Sequence, residues 1–526
     1  METFDLILRG GRIVDGTGNP WFRGDIAIAG DRVAEIGNLS TAQAREVIDV
    51  GDRIVSPGFI DAHSHSDMTL LVDPKADSKI RQGVTTEIIG VCGFSGGPVV
   101  AERLGELKIG ATLVGFTCAI AREVAFNWKT LGDFLKRLSD QGLPLNVGTY
   151  AGHMSLRVAV MGITPRAADP HEIEAMKKLM EQAMEEGALG LSVALDKVTE
   201  GGASTHEIME LCRVAASHGG TYAQHQRHWG DRFHESTVEA IEIGRGAGLP
   251  VILSHHIPPP ELWPKSRDLI DRVRDRGLEI YIDTISYTYG SMGLSSILPE
   301  WCVRGSIDQI LAKLRDPGAR TAIRNEVSGE RVMGLAKNTL VVAPKNPELL
   351  GKTFEEIASL RGKDLGDVAL DLMVEEEMRV KTLGFGWPED WVTSVMQYDN
   401  AFVESDAGSL SSEGVLKIRA DARGFGTFPR FLGHFVREAR VLPLEQAVRK
   451  ITSLPAQACR IKERGILKKN AYADVVVFDP RTIKERATPL QPAQYAEGIE
   501  HVIVNGAFAV KGGRPTGNLA GKIIRL

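Results

Sequence analysis

Apolar and polar positions alternate in two different ways along the chain. Residues 1–55 consist of short alternating runs separated by Asp-Gly and Gly-Asp pairs, which are typical of β-hairpins. The same pattern returns near the end, where Ala473–Pro480 and His501–Gly506 are strand-like with turns between them. We therefore predict one small β domain, a β-sandwich formed from both chain termini, with residues 1–56 and 462–526.

The middle of the chain, residues 57–461, alternates apolar runs with helical segments instead. The predicted strands are Val55–Asp61, Thr85–Val91, Leu145–Ala151, Leu189–Leu195, Thr221–Gln224, Pro250–Ser254, Leu278–Thr284 and Ala401–Ser405. The clearest predicted helices are His171–Glu186, His206–His218, Phe233–Ala247 and Ser266–Arg276. Strands and helices that alternate at this spacing predict an α/β fold with a parallel sheet, and eight such units favour a (β/α)8 TIM-like barrel.

Residues from about 290 to 400 interrupt this alternation. The segment is charged and its pattern is helical and mixed, and it lies between the seventh and eighth predicted strands. Insertions of this kind at the mouth of a barrel often carry function. We therefore predict that it forms a lid or a wall of the substrate site.

Composition narrows the classes of function. Of the 526 residues, 43% are hydrophobic and 25% are charged, and the net charge is −6, which is ordinary for a globular protein. Nucleic acid is not an expected partner because no basic face is indicated. No apolar run reaches the ~18 residues of a membrane span, so no membrane association is expected. Self-association into a homo-oligomer is left open.

The cysteines are five in number and widely spaced. An odd, scattered set does not predict a disulfide framework. Free thiols are typical of a reducing compartment, so we expect a cytoplasmic protein.

Candidate chemistry begins where the first barrel strand ends, in Asp61-Ala-His63-Ser-His65. Residues two apart in a strand point to the same side, so the rings of His63 and His65 can converge on one ion. Neutral imidazole is the commonest protein ligand for zinc-like metals. Two polar residues at an exposed strand end would give the same sequence pattern, so this pair alone does not establish a metal site.

Four further candidates lie at the ends of other predicted strands, namely Cys92, His225, His255 and Asp406. A barrel gathers its strand ends at one face, where active sites lie. The strand phase favours His255 over its neighbour His256, but only weakly, because both faces of a barrel strand are buried. Joint placement at strand ends therefore argues for a shared site more strongly than any single residue does.

This set of side chains suits hydrolysis. Histidine and cysteine ligands suit zinc or a similar divalent ion, which lowers the pKa of water at an open position. Because a thiolate can bridge two ions, one or two metals are compatible with the set. Asp406 is placed to take a proton from water and pass it to a leaving amine, although Glu404 shares its strand face and could do the same.

Several stretches resemble known enzymes. Phe59-Ile-Asp-Ala-His-Ser-His65 with the later strand-end histidines resembles the amidohydrolase superfamily. Stretches that resemble N-acyl-D-amino-acid deacylases (D-aminoacylases) run through nearly the whole chain. They are Gly83-Val-Thr-Thr86, Val91-Cys-Gly-Phe-Ser95, Gly152-His-Met-Ser-Leu-Arg157, Glu186-Gly-Ala-Leu-Gly-Leu-Ser192, Ser254-His-His256 and Gly426-Thr-Phe-Pro-Arg430.

The resemblance implies a role for each matching residue. It implies metal binding by His63, His65, Cys92, His225 and His255. It implies that Asp406 is the catalytic aspartate and that Arg423 holds the α-carboxylate of the substrate, as the fork of a guanidinium can. His153 and Tyr287 are the further substrate-binding residues that it implies.

The chain departs from the family pattern at substrate-side positions. Asp421-Ala-Arg423 stands where the family has His-Pro-Arg, and Ile285-Ser-Tyr287 stands where it has Tyr-Pro-Tyr. Ser405-Asp-Ala407 replaces Ser-Asp-Gly, and Val193-Ala-Leu-Asp-Lys197 lacks the usual Tyr-Pro pair.

The leading prediction is a metal-dependent hydrolase that cleaves the linear amide C–N bond of a small molecule, most simply an N-acyl (D-)amino acid. One alternative is a cyclic-amide hydrolase of the hydantoinase or dihydroorotase kind. Those relatives place a carboxylated lysine on the fourth strand, and Leu189–Leu195 contains no lysine. The other alternative is a non-catalytic barrel scaffold, which should have lost part of the ligand set.

Overall fold

A computed structural model describes residues 4–113, 124–164, 166–327, 334–417 and 421–526. In chain order, the N-terminal strands are β1 (Phe4–Ile13), β2 (Phe22–Ala29), β3 (Arg32–Gly37), β4 (Ala44–Asp49) and β5 (Ile54–Pro57). The middle strands are β6 (Phe59–Asp61), β7 (Val84–Ile89), β8 (Asn146–Thr149), β9 (Ala151–Gly152), β10 (Gly190–Ala194), β11 (Thr221–His225), β12 (Val251–Leu253), β13 (Ile280–Ile285), β14 (Tyr289–Gly293), β15 (Thr339–Val342), β16 (Lys381–Phe385) and β17 (Ala401–Glu404). The C-terminal strands are β18 (Val475–Phe478), β19 (Ile499–Val504), β20 (Ala507–Lys511) and β21 (Arg514–Pro515).

Helices connect most of the middle strands. Within the described residues, the α-helices are Thr69–Val72, Asp77–Ile80, Leu104–Leu113, Leu131–Gln141, His153–Met161, Pro170–Glu185, Thr205–Ser217, Phe233–Ala247, Trp263–Arg274, Glu300–Val303, Ile307–Arg315, Pro317–Glu326, Phe354–Arg361, Leu365–Glu375, Glu389–Met396, Gly414–Lys417, Ala422–Arg430, Leu444–Lys450 and Ser453–Ala458. A π-helical turn, Phe431–Glu438, continues the helix that ends at Arg430.

Both ends of the chain contribute to one sheet. Its strand order is β21-β20-β19-β18-β5-β1-β2-β3, with β4 paired to β1. Val476 lies opposite Ser56 in the antiparallel pair of β18 and β5, which joins the two termini. The first half of β1 pairs with β4 and its second half pairs with β5, so the sheet divides at β1.

Nine of the described middle strands form two parallel sheets. One has the order β6-β7-β8 and the other has the order β17-β13-β12-β11-β10-β9. Tyr150 alone separates β8 from β9 along the chain. At the other end, Ser64 and Ala407 form a parallel bridge, and the Asp406 amide donates to the His63 carbonyl over 3.1 Å. The predicted alternation of strands and helices is therefore present, with α/β sheets at its centre.

Local signals explain where the helices begin and end. The helix Pro170–Glu185 begins after Asp169, whose side chain accepts the Glu172 amide while Glu172 reaches back, which is a capping box. The helix Phe233–Ala247 ends at Gly248, which has a φ of 75° that glycine adopts without strain. Both helices were predicted to within one residue at each end.

The insertion between β13 and β17 is not only helical. Its strands β14, β16 and β15 form an antiparallel sheet in that order. The prediction of a helical segment missed this sheet, because the pairing joins strands far apart in sequence and strand propensity depends on such contacts. The sheet lies against the segment that carries Arg423, since Lys381 of β16 donates a hydrogen bond to Asp421 over 2.6 Å.

The parallel strands are buried on both faces. Every residue of β10, β11 and β13 is buried, as expected for strands covered by helices. Among the described helices, none combines the length and the apolar character that crossing a bilayer requires.

Candidate metal centre

The candidate ligands come together at the carboxyl ends of the parallel strands. His63 and His65 follow β6, Cys92 follows β7, His225 ends β11 and His255 follows β12. Asp406 follows β17 and completes the set. All the predicted metal ligands are buried, as are most of their neighbours.

The Cys92 thiol is the centre of the cluster. Its Sγ lies 3.2 Å from His63 Nε2, 3.4 Å from His255 Nε2 and 3.5 Å from His225 Nδ1. His65 also groups with His63 and Cys92, with the donor atoms within 4.8 Å of one another. A thiolate ringed by imidazole nitrogens is a donor set that zinc prefers, so these residues fit such an ion.

The structure distinguishes His255 from His256. While His255 faces Cys92, the His256 ring packs against Phe233 and its Nε2 lies 2.8 Å from Ser266 Oγ. Burial lowers the pKa of His256 to about 3, which keeps that ring neutral. His256 therefore belongs to the core.

The backbone is strained at three of the predicted site residues. Cys92, His255 and Asp406 have φ angles of 49°, 33° and 43°, in the left-handed region that residues other than glycine rarely adopt. Such a conformation costs about 1–3 kcal/mol and persists where surrounding structure enforces it, typically at functional sites. Each of the three comes two or three residues after the end of a buried strand, and the turn directs the side chain to the shared cluster.

Two carboxylates that sequence reasoning missed hold the histidine rings. Asp283 Oδ2 lies 3.1 Å from His63 Nδ1, and its other oxygen accepts the His255 amide. Asp196 Oδ1 lies 2.9 Å from His225 Nε2. Carboxylates in this position fix the tautomer and orientation of a metal-binding imidazole. A charged residue inside the apolar run Ile280–Ile285 was the available signal for Asp283.

Electrostatics favours the thiolate. Burial opposes ionisation of the Cys92 thiol, but the charges of the three neighbouring histidine rings prevail and hold its pKa well below the usual range. A thiolate, rather than a thiol, is the form that binds metal.

Asp406 lies between the histidines and Arg423. Its Oδ1 is 3.0 Å from His65 Nε2, and its Oδ2 accepts Arg423 Nη1 over 2.7 Å. The fully buried Arg423 also bonds Ser291 over 2.7 Å and Asp421 over 3.2 Å. Its predicted partner, a substrate carboxylate, would therefore compete with Asp406 for the guanidinium.

The structure gives His153 and Tyr287 partners other than the predicted substrate. Both ring nitrogens of His153 bond carboxylates, Glu200 over 2.7 Å and Glu207 over 3.0 Å, so neither is free for a ligand. The Tyr287 hydroxyl donates to Glu485 over 2.9 Å, and its ring lies 5.1 Å from the Arg430 guanidinium. His153 thus holds the segment after β10, and Tyr287 supports the helix that carries Arg423.

Comparison with known proteins identifies the family. Residues 46–359 and 417–510 match the Amidohydrolase family. The chain belongs to the amidohydrolase family. The D-aminoacylase of Alcaligenes xylosoxydans xylosoxydans is 34% identical over 99% of this chain and 98% of its own length. The resemblance to the D-aminoacylase group is thereby confirmed.

Solved structures of related deacylases resemble this chain over all or nearly all of its length. The N-acyl-D-glutamate deacylase of Bordetella bronchiseptica, solved with zinc and a phosphonate inhibitor, superposes with a TM-score of 0.83 at 31% identity and full coverage of both chains. A D-aminoacylase structure described with a binuclear metal centre gives a TM-score of 0.82 at 33% identity, covering 99% of this chain and 100% of that one.

A buried lysine, Lys79, contacts residues beside Asp406 in the candidate metal centre of this amidohydrolase. Lys79 Nζ donates to Asp61 over 2.5 Å, to Ser405 Oγ over 2.8 Å and to the Ala407 carbonyl over 2.9 Å. Glu87 Oε1 lies 3.1 Å from the same nitrogen, and Lys79, Asp61 and Glu87 are fully buried. Lys79 therefore fixes the chain on both sides of the catalytic candidate.

Replacing Lys79 should destabilise the protein strongly. Lys79→Met leaves Asp61 and Glu87 buried without their counter-charge, and breaking a buried pair in this way typically costs about 3–5 kcal/mol. Chemical denaturation of the variant tests this. Lys136→Met is the matched control, since Lys136 pairs with Asp140 over 2.6 Å on the surface and should change stability little. Equal, small losses for both variants would contradict the support role.

Proposed function

We propose that this amidohydrolase is a zinc-dependent deacylase that hydrolyses the linear amide bond of N-acyl-D-amino acids. The observation that carries the proposal is the Cys92 thiol ringed by strand-end histidines, with Asp406 held between His65 and Arg423. The relatives named above, a D-aminoacylase and an N-acyl-D-glutamate deacylase, support the substrate class. One or two divalent ions are consistent with the donor set.

The architecture that we propose for this activity is a closed (β/α)8 barrel. Its eight strands would be β6, β7, β8 with β9, β10, β11, β12, β13 and β17. The single residue between β8 and β9 and the bridge from Ser64 to Ala407 support closure at the two seams. The division of the terminal sheet at β1 supports a β-sandwich over residues 1–56 and 462–526.

Each residue of the site would have a distinct task. A bound zinc ion would supply a water of lowered pKa and polarise the amide carbonyl. Asp406 takes the proton from the water and delivers it to the departing nitrogen, since one carboxylate can do both in sequence. His65 Nε2 lies 3.0 Å from Asp406 Oδ1, and Asp406 Oδ2 accepts a hydrogen bond from Arg423.

Arg423 gives the site its preference for an acid. A substrate carboxylate would take the place of Asp406 on the guanidinium and free Asp406 for proton transfer. Asp421 keeps Arg423 oriented, and it is itself bonded to Lys381 of the insertion. Ser291 of β14 bonds Arg423 as well, so the insertion forms one wall of the proposed substrate site.

Changing Arg423 should discriminate between acids and their neutral analogues. Arg423→Lys keeps the charge but loses the planar fork, so it should lower kcat/KM for N-acyl amino acids far more than for the matching amides or esters. Steady-state kinetics on matched pairs measures this. An equal effect on both would mean that Arg423 acts only through Asp406 and not on a carboxylate.

The cyclic-amide alternative is disfavoured by the fourth strand. β10 carries no lysine, and the nearest, Lys197, pairs with Asp196 over 3.1 Å beyond the strand end. A panel of N-acyl-D-amino acids, N-acyl-L-amino acids and hydantoins, assayed with added zinc, tests the proposal. We expect turnover of the D-acyl compounds. Turnover of hydantoins alone would favour the alternative.

Location and thiol chemistry are consistent with this function. The described cysteines, Cys92, Cys212, Cys302 and Cys459, are buried free thiols, while Cys118 lies outside the described residues. The cytoplasmic location that we propose would keep the Cys92 thiol reduced.

A further inference from the structure

Trp229 is an exposed aromatic residue beside the metal centre, and none of the roles above uses it. Its side chain is 40% exposed, which is unusual for a tryptophan that contacts buried residues. The indole lies 5.3 Å from the His225 ring and 6.3 Å from the His255 ring, measured between centroids. One part of the ring thus covers two candidate ligands while another part faces open space.

The ring is held in a fixed orientation. Trp229 Nε1 donates to Asp196 Oδ2 over 3.0 Å, and the other oxygen of Asp196 lies 2.9 Å from His225 Nε2. Phe233 supports the indole from the neighbouring helix, with ring centroids 5.7 Å apart. An exposed aromatic surface that is held by a hydrogen bond and a ring contact loses little conformational entropy when a ligand covers it.

The position of Trp229 relative to Arg423 suggests what it contacts. Arg423 bonds Asp406, which follows β17, whereas Trp229 contacts the histidines after β11 and β12. In the sheet order, β13 separates β17 from β12, and β11 lies one strand further on. The two residues therefore lie beside different strand ends of the site, Arg423 near the end of β17 and Trp229 near the ends of β11 and β12.

We infer that Trp229 is the wall of the acyl-group subsite and selects an aromatic or large apolar acyl group. The inference rests on the proposed function. If the carboxylate of the substrate is held at Arg423 and its carbonyl lies at the metal centre, the acyl group extends away from Arg423, toward Trp229. An aromatic face in that place favours a flat apolar group over a methyl group, because it removes more apolar surface from water.

The test compares two substrates that differ only in the acyl group. The ratio of kcat/KM for the N-phenylacetyl and N-acetyl derivatives of one D-amino acid is measured in each variant, because this ratio does not depend on the fraction of active enzyme. Trp229→Ala should lower the ratio at least about tenfold, the size expected when a pocket loses apolar contact. Trp229→Phe keeps an aromatic ring without the N–H group and should retain most of the preference.

Trp21→Ala is the matched control, because Trp21 is 44% exposed but lies just before β2, among the terminal strands. It should leave the ratio unchanged. An unchanged ratio in Trp229→Ala, with both substrates slowed alike, would show that Trp229 only positions Asp196. That result would overturn this inference but not the proposed function. Failure of the wild-type protein to hydrolyse either substrate would overturn the proposed function and the acyl subsite with it.

Discussion

Replacing Asp406 with Asn should lower kcat by a factor of ~10² to 10⁴ while the protein keeps its fold and most of its zinc. The substitution preserves size and removes the group that accepts and returns a proton. The four histidines and Cys92 remain, and they form a donor set without Asp406. Steady-state kinetics and metal analysis on the same preparation measure both quantities.

Glu404 provides the comparison for Asp406, because it is the other carboxylate of the same strand end. It is fully buried, and neither carboxylate oxygen has a hydrogen-bond partner in the part of the chain that the structure describes. Burial raises the pKa of Glu404 well above its usual value, which disfavours a base at neutral pH. Glu404→Gln should therefore leave most of kcat in place. A large loss in Glu404→Gln, with Asp406→Asn retaining over about a tenth of wild-type kcat, would transfer the role to Glu404.

Replacing Cys92 with Ala should lower zinc content and activity together. The thiol is within 3.5 Å of three imidazole nitrogens, so its removal takes the shared ligand from the centre of the cluster. The loss of a ligand weakens metal binding far more than a packing change does. Metal analysis after dialysis, paired with an activity assay, tests the prediction.

Cys212→Ala is the matched control for Cys92→Ala. Cys212 is also a buried free thiol, but it lies in the helix Thr205–Ser217 and burial raises its pKa well above the usual range. Its loss should reduce stability by about 1–2 kcal/mol and leave the zinc content intact. The same pattern in Cys92→Ala, with lower stability and full zinc, would remove Cys92 from the metal site.

Much of the site could be predicted from the sequence because its residues follow buried strands. The two-residue spacing of His63 and His65 predicts that both rings can reach one site, and a strand end is visible as the end of an apolar run. In the structure both histidines follow β6 rather than lie within it. Convergence of Cys92, His225 and His255 then follows from parallel strands that end at one face. The structure places their donor atoms within 4.8 Å of one another.

The remaining features depend on contacts between distant segments. Asp283 and His63 are 220 residues apart, and nothing local to either residue indicates their contact. The antiparallel sheet of the insertion pairs Tyr289 with Phe385. Because these residues are far apart in the sequence, local periodicity does not predict the sheet. The family resemblance predicts a substrate-binding role for Arg423. Its hydrogen bond to Asp406, however, depends on how the helix Ala422–Arg430 packs against β17.

The most direct test of the proposed function is the restoration of activity to metal-free protein by zinc. Protein stripped with a chelator is titrated with zinc, and hydrolysis of an N-acyl-D-amino acid is measured beside that of its L-enantiomer. We expect no turnover without metal, full activity at one or two zinc equivalents per chain, and a clear preference for the D-compound. Turnover that is unaffected by removing the metal, or zinc binding without hydrolysis of any N-acyl amino acid, would contradict the assignment as a zinc-dependent deacylase.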